Sequence, residues 1–377
     1  MKEYKSNIFE EKISKTEEEK IYLASQWQLM WWKFKRHKLA MLGGWTLLIL
    51  YMLAIFCEFF APYSPTSRFE GYEYAPPQII RIYDKGRGFQ WPFVYALRSE
   101  MDPSTFRFKV LEDRSKKYYV KFFVRGESYK LLGVFNSNIH LFGADGGPIF
   151  IFGSDKLGRD LFSRILHGAR ISLSIGLIGV FLSFILGLII GGISGYLGGM
   201  IDEVIQRTID FLISIPTIPL WMALSAALPR DWPVIKTYFG ITILLSIFGW
   251  CGLARVVRGK LLALREEDFT MAARLAGASE WRIITRHLLP SFASHIIVSI
   301  TLAIPNMILG ETSLSFLGLG LQPPAISWGV LLQDAQKLAE IALHPWLLIP
   351  CIFVIVTVLS FNFLGDGLRD AADPYAR

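Results

Sequence analysis

The segment "MAARLAGASEWRIITRHLLP", Met271–Pro290, separates two strongly apolar stretches and differs from both. It carries Arg274, Arg282 and Arg286 among many small residues, and Gly277 interrupts it. Basic residues of membrane proteins collect on the cytoplasmic side. The pattern therefore predicts an ordered cytoplasmic segment between two membrane spans, rather than a span of its own.

A helical pattern begins just before this segment. Asp268 is a residue type that favours a helix N-cap. Apolar residues then recur on one helix face: Phe269, Ala272, Ala273 and Ala276. Gly277 suits the left-handed conformation that ends many helices, and Ser279 suits the N-cap of a second helix over 280–289. The sequence predicts a short helix, a tight bend and a second helix. Its flat alanine face suits close docking of another protein, or packing on the chain's own spans.

The composition of the chain is that of an integral membrane protein. Of its 377 residues, 52% are hydrophobic and 19% are charged, against roughly 25% charged in soluble domains. The apolar residues cluster into runs long enough to cross a bilayer as helices, which takes about 20 residues. Six spans are predicted, at 39–61, 171–195, 204–228, 237–254, 291–310 and 345–364.

The charges next to the first span predict the orientation. Lys33, Lys35, Arg36 and Lys38 precede it, which places the N-terminal tail, 1–38, in the cytoplasm. Six crossings return the C-terminal tail, 365–377, to the same side. The net charge of +7 fits this topology, and no nucleic acid is expected as a partner. Against this orientation, four basic residues fall on the outer side: Lys156, Arg159, Arg164 and Arg170.

Residues 65–150 differ from the spans, because they are polar, aromatic and broken by Gly and Pro. The stretches "FRFKVL" (106–111) and "YYVKFFVRG" (118–126) alternate at period two, with "EDRSKK" (112–117) between them. This pattern predicts a β-hairpin within a small extracytoplasmic insert. The predicted fold class is an all-α membrane protein of six transmembrane helices with a small, mainly β insert.

Small and polar residues within the spans suggest packing and a pathway. Four glycines recur at four-residue spacing, which lines one helix face and lets another backbone approach: Gly187, Gly191, Gly195 and Gly199. Asn306 and Glu311 lie late in the fifth span, and polar groups at membrane depth usually face the bundle interior or a cavity. We expect both to border the pathway.

Two further stretches are expected to shape the outer side. "SLSFLGLGLQPPAISW" (313–328) contains glycines and prolines, so it predicts a re-entrant or surface-lying connection. "GSDKLGRD" (153–160) is interpreted as a structural elbow rather than a carboxylate or metal site.

No catalytic or metal-binding motif is recognisable. The histidines lack ligand spacing. The stretch "GLARVVRGKL" (252–261) has the wrong glycine spacing for a phosphate-binding loop, and Leu261 stands where the hydroxyl residue belongs. We therefore expect that the chain is not an enzyme and holds no cofactor of its own.

Three stretches together resemble a known family. Met271-Ala272-Ala273, Gly277 and Leu289-Pro290 resemble the EAA loop of ABC-importer permeases. "GSDKLGRDLFSRILHGARISLSIG" (153–176) and "GETSLSFLGLGLQPPAISWGVLL" (310–332) are similar to the C-type oligopeptide and dipeptide permease subunits. The resemblance covers most of 150–370. Two departures are Met271 at the family's glutamate position and His287 at its isoleucine position.

The resemblance implies a type I importer permease fold, with a five-helix core at 151–364 and a coupling helix within 267–290. Residues implied to contact an ATPase subunit are Asp268, Ala272, Ala273, Gly277, Ala278, Arg282, Leu289 and Pro290. It further implies a second homologous permease subunit, two ATP-binding subunits that hold ATP and Mg²⁺, and an external solute-binding protein, for which the insert is a candidate platform. The implied location is the prokaryotic plasma (inner) membrane, with lipid around the spans.

The implied cargo is an oligopeptide, with an oligosaccharide as the alternative. A self-sufficient secondary transporter or channel is the other alternative. It would need coupling carboxylates within the spans or inverted repeats with broken helices. The spans are nearly free of Asp and Glu, and no repeat is visible.

Overall fold

A computed structural model describes residues 25–84, 88–101, 108–229 and 231–372. Most of residues 1–38 and the last five residues of the predicted C-terminal tail lie outside the described residues. The helices, in chain order, are α1 (Gln26–Arg36), α2 (Lys38–Ile55), α3 (Cys57–Phe60), α4 (Leu161–Leu197), α5 (Gly199–Ser214), α6 (Thr217–Ala226), α7 (Val234–Leu264), α8 (Asp268–Leu275), α9 (Glu280–Arg282), α10 (Leu289–Ser291), α11 (Ala293–Phe316), α12 (Trp328–Leu332), α13 (Leu338–Leu343) and α14 (Ile349–Ala372).

The described residues contain five helices long and apolar enough to cross a membrane, or six spans if the bent pair α5–α6 counts as one. α4 begins well before the predicted second span because Asp160 caps it, accepting a hydrogen bond from the Ser163 amide at 2.8 Å. α14 extends to Ala372, so part of the predicted C-terminal tail is helical.

The third predicted span, 204–228, is a broken pair rather than one kinked helix. α5 and α6 meet at an angle of 84°. Pro216 lacks an N–H group, and proline disfavours helical geometry in the residue before it, here Ile215, which is extended with φ −84° and ψ 128°.

The glycines of α4 lie against α7, as a close-packing face requires. A Cβ atom at Gly191 would lie 2.5 Å from the carbonyl oxygen of Ala254, and one at Gly195 would lie 2.8 Å from that of Arg258. Gly187 faces the Leu253 side chain. Gly199 is outside this face, contrary to the prediction. The chain turns out of α4 at Gly198, so no atom lies within 4 Å of a Cβ placed at Gly199.

The insert contains one antiparallel sheet of four strands in the order β1 (Arg81–Asp84), β2 (Gly88–Met101), β3 (Phe108–Leu131) and β4 (Phe135–Ala144). The hairpin predicted around "EDRSKK" is wrong, because 108–131 form one strand of 24 residues. "EDRSKK" is instead a bulge: Tyr95 pairs with Lys117, but its neighbour Ala96 pairs with Asp113. Within the bulge, Asp113 Oδ1 accepts a hydrogen bond from the Ser115 amide, as it would in a tight turn. Residues 106 and 107 of the predicted hairpin lie outside the described residues.

The basic residues that conflicted with the predicted orientation are all ion-paired within the chain. Arg159 and Arg164 both bind the buried Asp155 in the elbow. The other two pairs are Lys156 with Asp334 at 2.8 Å and Arg170 with Glu58 at 2.6 Å. Each of these charges is therefore compensated locally, and the ion pairs of the elbow connect it to neighbouring parts of the chain.

Candidate coupling segment and pathway

The candidate coupling segment, residues 264–292, begins where α7 ends and α8 follows almost directly. The buried side chain of Thr270 donates from Oγ1 to the carbonyl oxygen of Leu264 at 2.8 Å, which fixes α8 against the end of α7. Asp268 is not the N-cap, contrary to the prediction. It is the first helical residue, and Glu267 holds the extended cap position without a side-chain bond. A carboxylate in the first turn still interacts favourably with the helix dipole.

The bend between α8 and the second helix is a Schellman motif. Gly277 has φ +79°. The Ala278 amide donates to the Ala273 carbonyl at 3.1 Å, and the Gly277 amide donates to the Arg274 carbonyl at 3.0 Å. A Cβ at Gly277 would meet no atom within 4 Å, so the left-handed backbone, not crowding, calls for glycine here.

The second helix starts at the predicted cap but is not regular. Ser279 Oγ accepts a bond from the Arg282 amide at 3.4 Å. A π-helical turn, Ile283–Leu288, follows α9 and leads into α10. Pro290 has no N–H group to donate an α-helical hydrogen bond. In the wider π-helical turn before it, the Leu289 amide donates to the carbonyl oxygen of Ile284.

The alanine face of α8 is divided between the two sides of the segment. Ala273 and Ala278 pack inward against a buried cluster made by the segment, the end of α7 and the start of α11: Val257, Leu261, Ile283, Leu288, Phe292 and Ile296. Ala272 and Ala276 are exposed. Because Thr270 turns inward, Ala273, one helical turn later, must also turn inward.

The exposed side of the segment carries large apolar side chains that the sequence reasoning missed. Leu275 is 87% exposed and Trp281 is 75% exposed, one on each side of the Gly277 bend. Phe269 and Met271 are also exposed, and we call these four residues the outer face. The available signal was a leucine off the alanine face and a tryptophan soon after the Ser279 cap.

The remaining predicted contact residues also lie on this segment. Arg282 and Pro290 are exposed, whereas Leu289 is half-buried against the inner cluster. Exposed apolar groups rimmed by polar residues mark protein interaction sites. The geometry thus supplies a rigid, bent surface at the end of a membrane-spanning helix.

Asn306 and Glu311 are not brought together. Five residues of α-helix separate them by about 140° around the helix. Asn306 is exposed, whereas Glu311 is fully buried. The Glu311 carboxylate accepts hydrogen bonds from Ser315 at 2.8 Å, Ser327 at 2.7 Å and Ser172 at 3.2 Å. Glu311 therefore ties α4, α11 and the connection before α12 together, and borders no open space in this conformation.

The connection between α11 and α12 folds back over the bundle. The Leu321 amide donates to Ser315 Oγ at 3.0 Å, and Trp328 is fully buried with Nε1 bonded to the Ile165 carbonyl at 3.1 Å. A cavity of about 170 Å³ lies between this connection and the α6–α7 turn, and Ser225, Trp232 and Gln322 are among its lining residues. The stretch does not continue α11 as a straight helix, as its glycines and prolines predicted.

Five to six apolar spans, two of them connected by an ordered bend with exposed apolar side chains, define a multi-pass membrane protein. Residues 148–377 match the family described as "Binding-protein-dependent transport system inner membrane component". Residues 25–77 match the "N-terminal TM domain of oligopeptide transport permease C". The chain belongs to the binding-protein-dependent transport family, as a permease component.

Individual relatives agree with this membership. The chain is 38% identical over 227 residues to the dipeptide transport system permease protein DppC of Bacillus subtilis, covering 60% of this chain and 69% of that protein. It is 39% identical over 244 residues to the oligopeptide transport system permease protein OppC of the same organism, covering 64% and 77%. It is 44% identical over 223 residues to the glutathione transport system permease protein GsiD of Escherichia coli O157:H7, covering 59% and 71%.

The chain also resembles solved structures over part of its length. The inward-facing MetNI methionine ABC transporter aligns over 55% of this chain and 95% of its own, at 17% sequence identity and a TM-score of 0.44.

Proposed function

We propose that this chain is the permease subunit of an ATP-driven importer of peptides. It forms half of the translocation pathway, and a second homologous permease subunit forms the other half. An external solute-binding protein delivers the cargo, the insert lies on that outer side, and both termini lie in the cytoplasm. The observation that carries the proposal is the outer face of the coupling segment, because exposed apolar side chains rimmed by polar residues are typical of a protein docking site.

The coupling step follows from the connection between α7 and α8. α7 is a continuous helix of 31 residues that leads almost directly into α8, and the Thr270–Leu264 hydrogen bond holds the junction. A separate ATP-binding subunit, which holds ATP and Mg²⁺, docks on the outer face. Its closure then moves α8, the Gly277 bend and α7 as one body, which shifts the bundle between its inward-open and outward-open states.

The substrate class is inferred from the relatives. The proteins reported above carry the names of dipeptide, oligopeptide and glutathione transport systems. All three names describe short peptides or peptide-like cargo. We therefore propose a short peptide as the substrate, and no observation favours an oligosaccharide.

The test of coupling is a pair of matched leucine variants, Leu275→Glu and Leu338→Glu. Both side chains are exposed, at 87% and 81%, but Leu338 lies on α13, away from the coupling segment. We expect Leu275→Glu to reduce co-purification of the ATP-binding subunits from native membranes at least several-fold, and Leu338→Glu to leave it unchanged. Wild-type co-purification of both variants would refute the coupling role.

The test of cargo is uptake by the assembled transporter in proteoliposomes, with its binding protein outside. We expect a labelled tripeptide to enter only when ATP is supplied on the side of the coupling segment. Uptake of maltotriose without uptake of the tripeptide would refute the peptide assignment and leave the coupling role standing.

A further inference from the structure

The β3–β4 hairpin carries an apolar surface that no described residue of the chain covers. Phe123 is 67% exposed and Val134 is 73% exposed. Phe122, Leu132, Phe135 and Ile139 are exposed as well, and we call these six residues the hairpin surface. Exposed aromatic and aliphatic groups in such number mark a contact with lipid or protein.

The hairpin is fixed to the end of the first span. The Phe123 ring lies 6.3 Å from the ring of Phe59 in α3. The buried His140 of β4 holds its Nδ1 2.6 Å from the carbonyl oxygen of Ala61, directly after α3. The hairpin surface therefore starts beside the end of the first apolar span.

α3 itself is held in place against the bundle. Arg170 of α4 donates from Nη1 and Nη2 to the Glu58 carboxylate, at 2.6 and 2.7 Å. These hydrogen bonds lower the pKa of Glu58, against the rise that its partial burial causes. A charged Glu58 paired with Arg170 keeps the base of the hairpin at a fixed depth.

The exposed apolar face of α2 continues into the hairpin surface. Leu48, Met52 and Ile55 are exposed and lie on one helix face, since they are spaced at i, i+4 and i+7. Phe59, at i+11, extends this stripe to the ring of Phe123. The contact between Phe59 and Phe123 thus connects the exposed apolar side chains of a membrane-spanning helix with those of the sheet.

The charges on the hairpin suit an anionic lipid surface. Arg125 and Lys130 are exposed beside the apolar residues. The one acidic residue of 118–144, Glu127, is used inside the chain, where it accepts hydrogen bonds from Ser67 Oγ at 2.7 Å and the Ser64 amide at 3.2 Å. Basic groups at a bilayer surface are attracted electrostatically to anionic headgroups.

We propose that the β3–β4 hairpin lies in the headgroup region of the bilayer beside the first span. The hairpin surface contacts acyl chains, and Arg125 and Lys130 bind phosphate headgroups. The partner is the phospholipid of the leaflet at the α3 end of α2. The hairpin thereby fixes the depth of that end of the protein, whatever solute the transporter carries.

The test uses a fluorescent label at one hairpin position in the full chain with its partner subunits. Cys57, Cys251 and Cys351 are replaced by alanine, and Phe135→Cys is labelled with an environment-sensitive nitrobenzoxadiazole group. The matched control is Phe89→Cys, an 82% exposed phenylalanine on β2, in the other half of the sheet. Both are reconstituted into vesicles of phosphatidylcholine with phosphatidylglycerol.

We expect doxyl-labelled lipid to quench the label at position 135 several-fold more strongly than at position 89, and aqueous iodide to show the reverse order. Strong iodide quenching at 135 would show a solvent-exposed hairpin and overturn the proposal. Protection from both quenchers would show that a protein partner covers it, which also overturns the proposal.

The headgroup contact is tested separately by Arg125→Gln with Lys130→Gln in the labelled chain. We expect phosphatidylglycerol to increase lipid quenching at position 135 in the parent and not in this variant. Equal quenching of the parent with and without phosphatidylglycerol would overturn the electrostatic part. Folding is monitored by the melting temperature, which the two surface substitutions should not change.

Discussion

The buried carboxylate of Glu311 accepts a hydrogen bond of 2.7 Å from the hydroxyl of Ser327, a residue sixteen positions further along the chain. The same hydroxyl caps α12, where it accepts from the Val330 amide at 3.2 Å. One acidic side chain therefore joins the end of a span to the connection that folds back over the bundle.

Removal of the Glu311 carboxylate should destabilise the bundle strongly. Glu311→Ala leaves the hydroxyls of Ser172, Ser315 and Ser327 without this partner, at a cost of about 1–3 kcal/mol for each one left unsatisfied. Glu311→Gln keeps an oxygen acceptor in the same place, so its loss should be smaller. Thermal unfolding in detergent measures both, with Ser327→Ala as the single-bond control. Equal melting temperatures for wild type and Glu311→Ala would contradict the bracing role.

Contact between α4 and α7 should depend on Gly191 and not on its neighbour. A Cβ at Gly191 would lie 2.5 Å from the Ala254 carbonyl oxygen, whereas one at Gly192 would meet no atom within 4 Å. Gly191→Ala forces the helices apart and should cost about 1–3 kcal/mol, lowering the melting temperature. Gly192→Ala is the matched control and should be neutral or slightly stabilising, since alanine favours helix by about 1 kcal/mol. A similar loss in both variants would show that the close approach does not matter.

Two adjacent alanines of α8 should respond differently to the same charge. Ala273 packs on the inner cluster, so Ala273→Glu buries a carboxylate and should lower the melting temperature of the chain. Ala272 is exposed, so Ala272→Glu should leave the melting temperature unchanged while weakening association with the ATP-binding subunits. Melting curves and co-purification, measured on both variants, separate folding from docking. If the folded Ala272→Glu variant still bound the ATP-binding subunits normally, Ala272 would lie outside the docking contact, and only the side chains of the outer face would form it.

Stability should fall as pH rises toward neutrality because of Asp160. Burial raises the pKa of this carboxyl from its ordinary value of 3.8 to about 7. Between these values the folded chain holds a proton that the unfolded chain has released. The free energy of unfolding therefore decreases by up to about 1.4 kcal/mol per pH unit as pH rises through this window. Above about pH 7 both states are ionised and this dependence ends.

The measurement is the melting temperature in detergent from pH 5 to pH 8, in wild type and Asp160→Asn. Asparagine keeps an oxygen for the Ser163 amide but does not titrate, so the variant should show a flatter profile. Identical slopes in the two proteins would assign the pH dependence to other groups.

Local signals in the sequence predicted the bend of the coupling segment. Gly277 and Ser279 act on their own backbone, through a left-handed φ and an N-cap bond, so their roles do not depend on distant contacts. By contrast, whether Ala273 faces the inner cluster or solvent does depend on distant contacts. Which side of a short amphipathic helix is buried follows from the Thr270 bond to α7, and the sequence does not display that contact.

The prediction of a hairpin around "EDRSKK" was wrong for a related reason. Asp113 and Ser115 form a turn-like hydrogen bond in either a hairpin or a bulge. The choice is made by the pairing of 120–131 with β4 and of 108–119 with β2, which allows one long strand. Glu311 was expected at the pathway because the sequence shows a polar group at membrane depth but not the three serines that surround it.

The break between α5 and α6 has a consequence for biogenesis. If the pair forms one span, the 84° break leaves Pro216 and Thr217 exposed at membrane depth. Helix ends have unsatisfied backbone groups, and lipid offers them no hydrogen bonds, at a cost of several kcal/mol for each group. Only a protein neighbour or a water-filled space can cover such a break. Where a protein neighbour provides the cover, a newly made chain without it has an exposed defect in the bilayer, and its cellular lifetime should follow the supply of that neighbour.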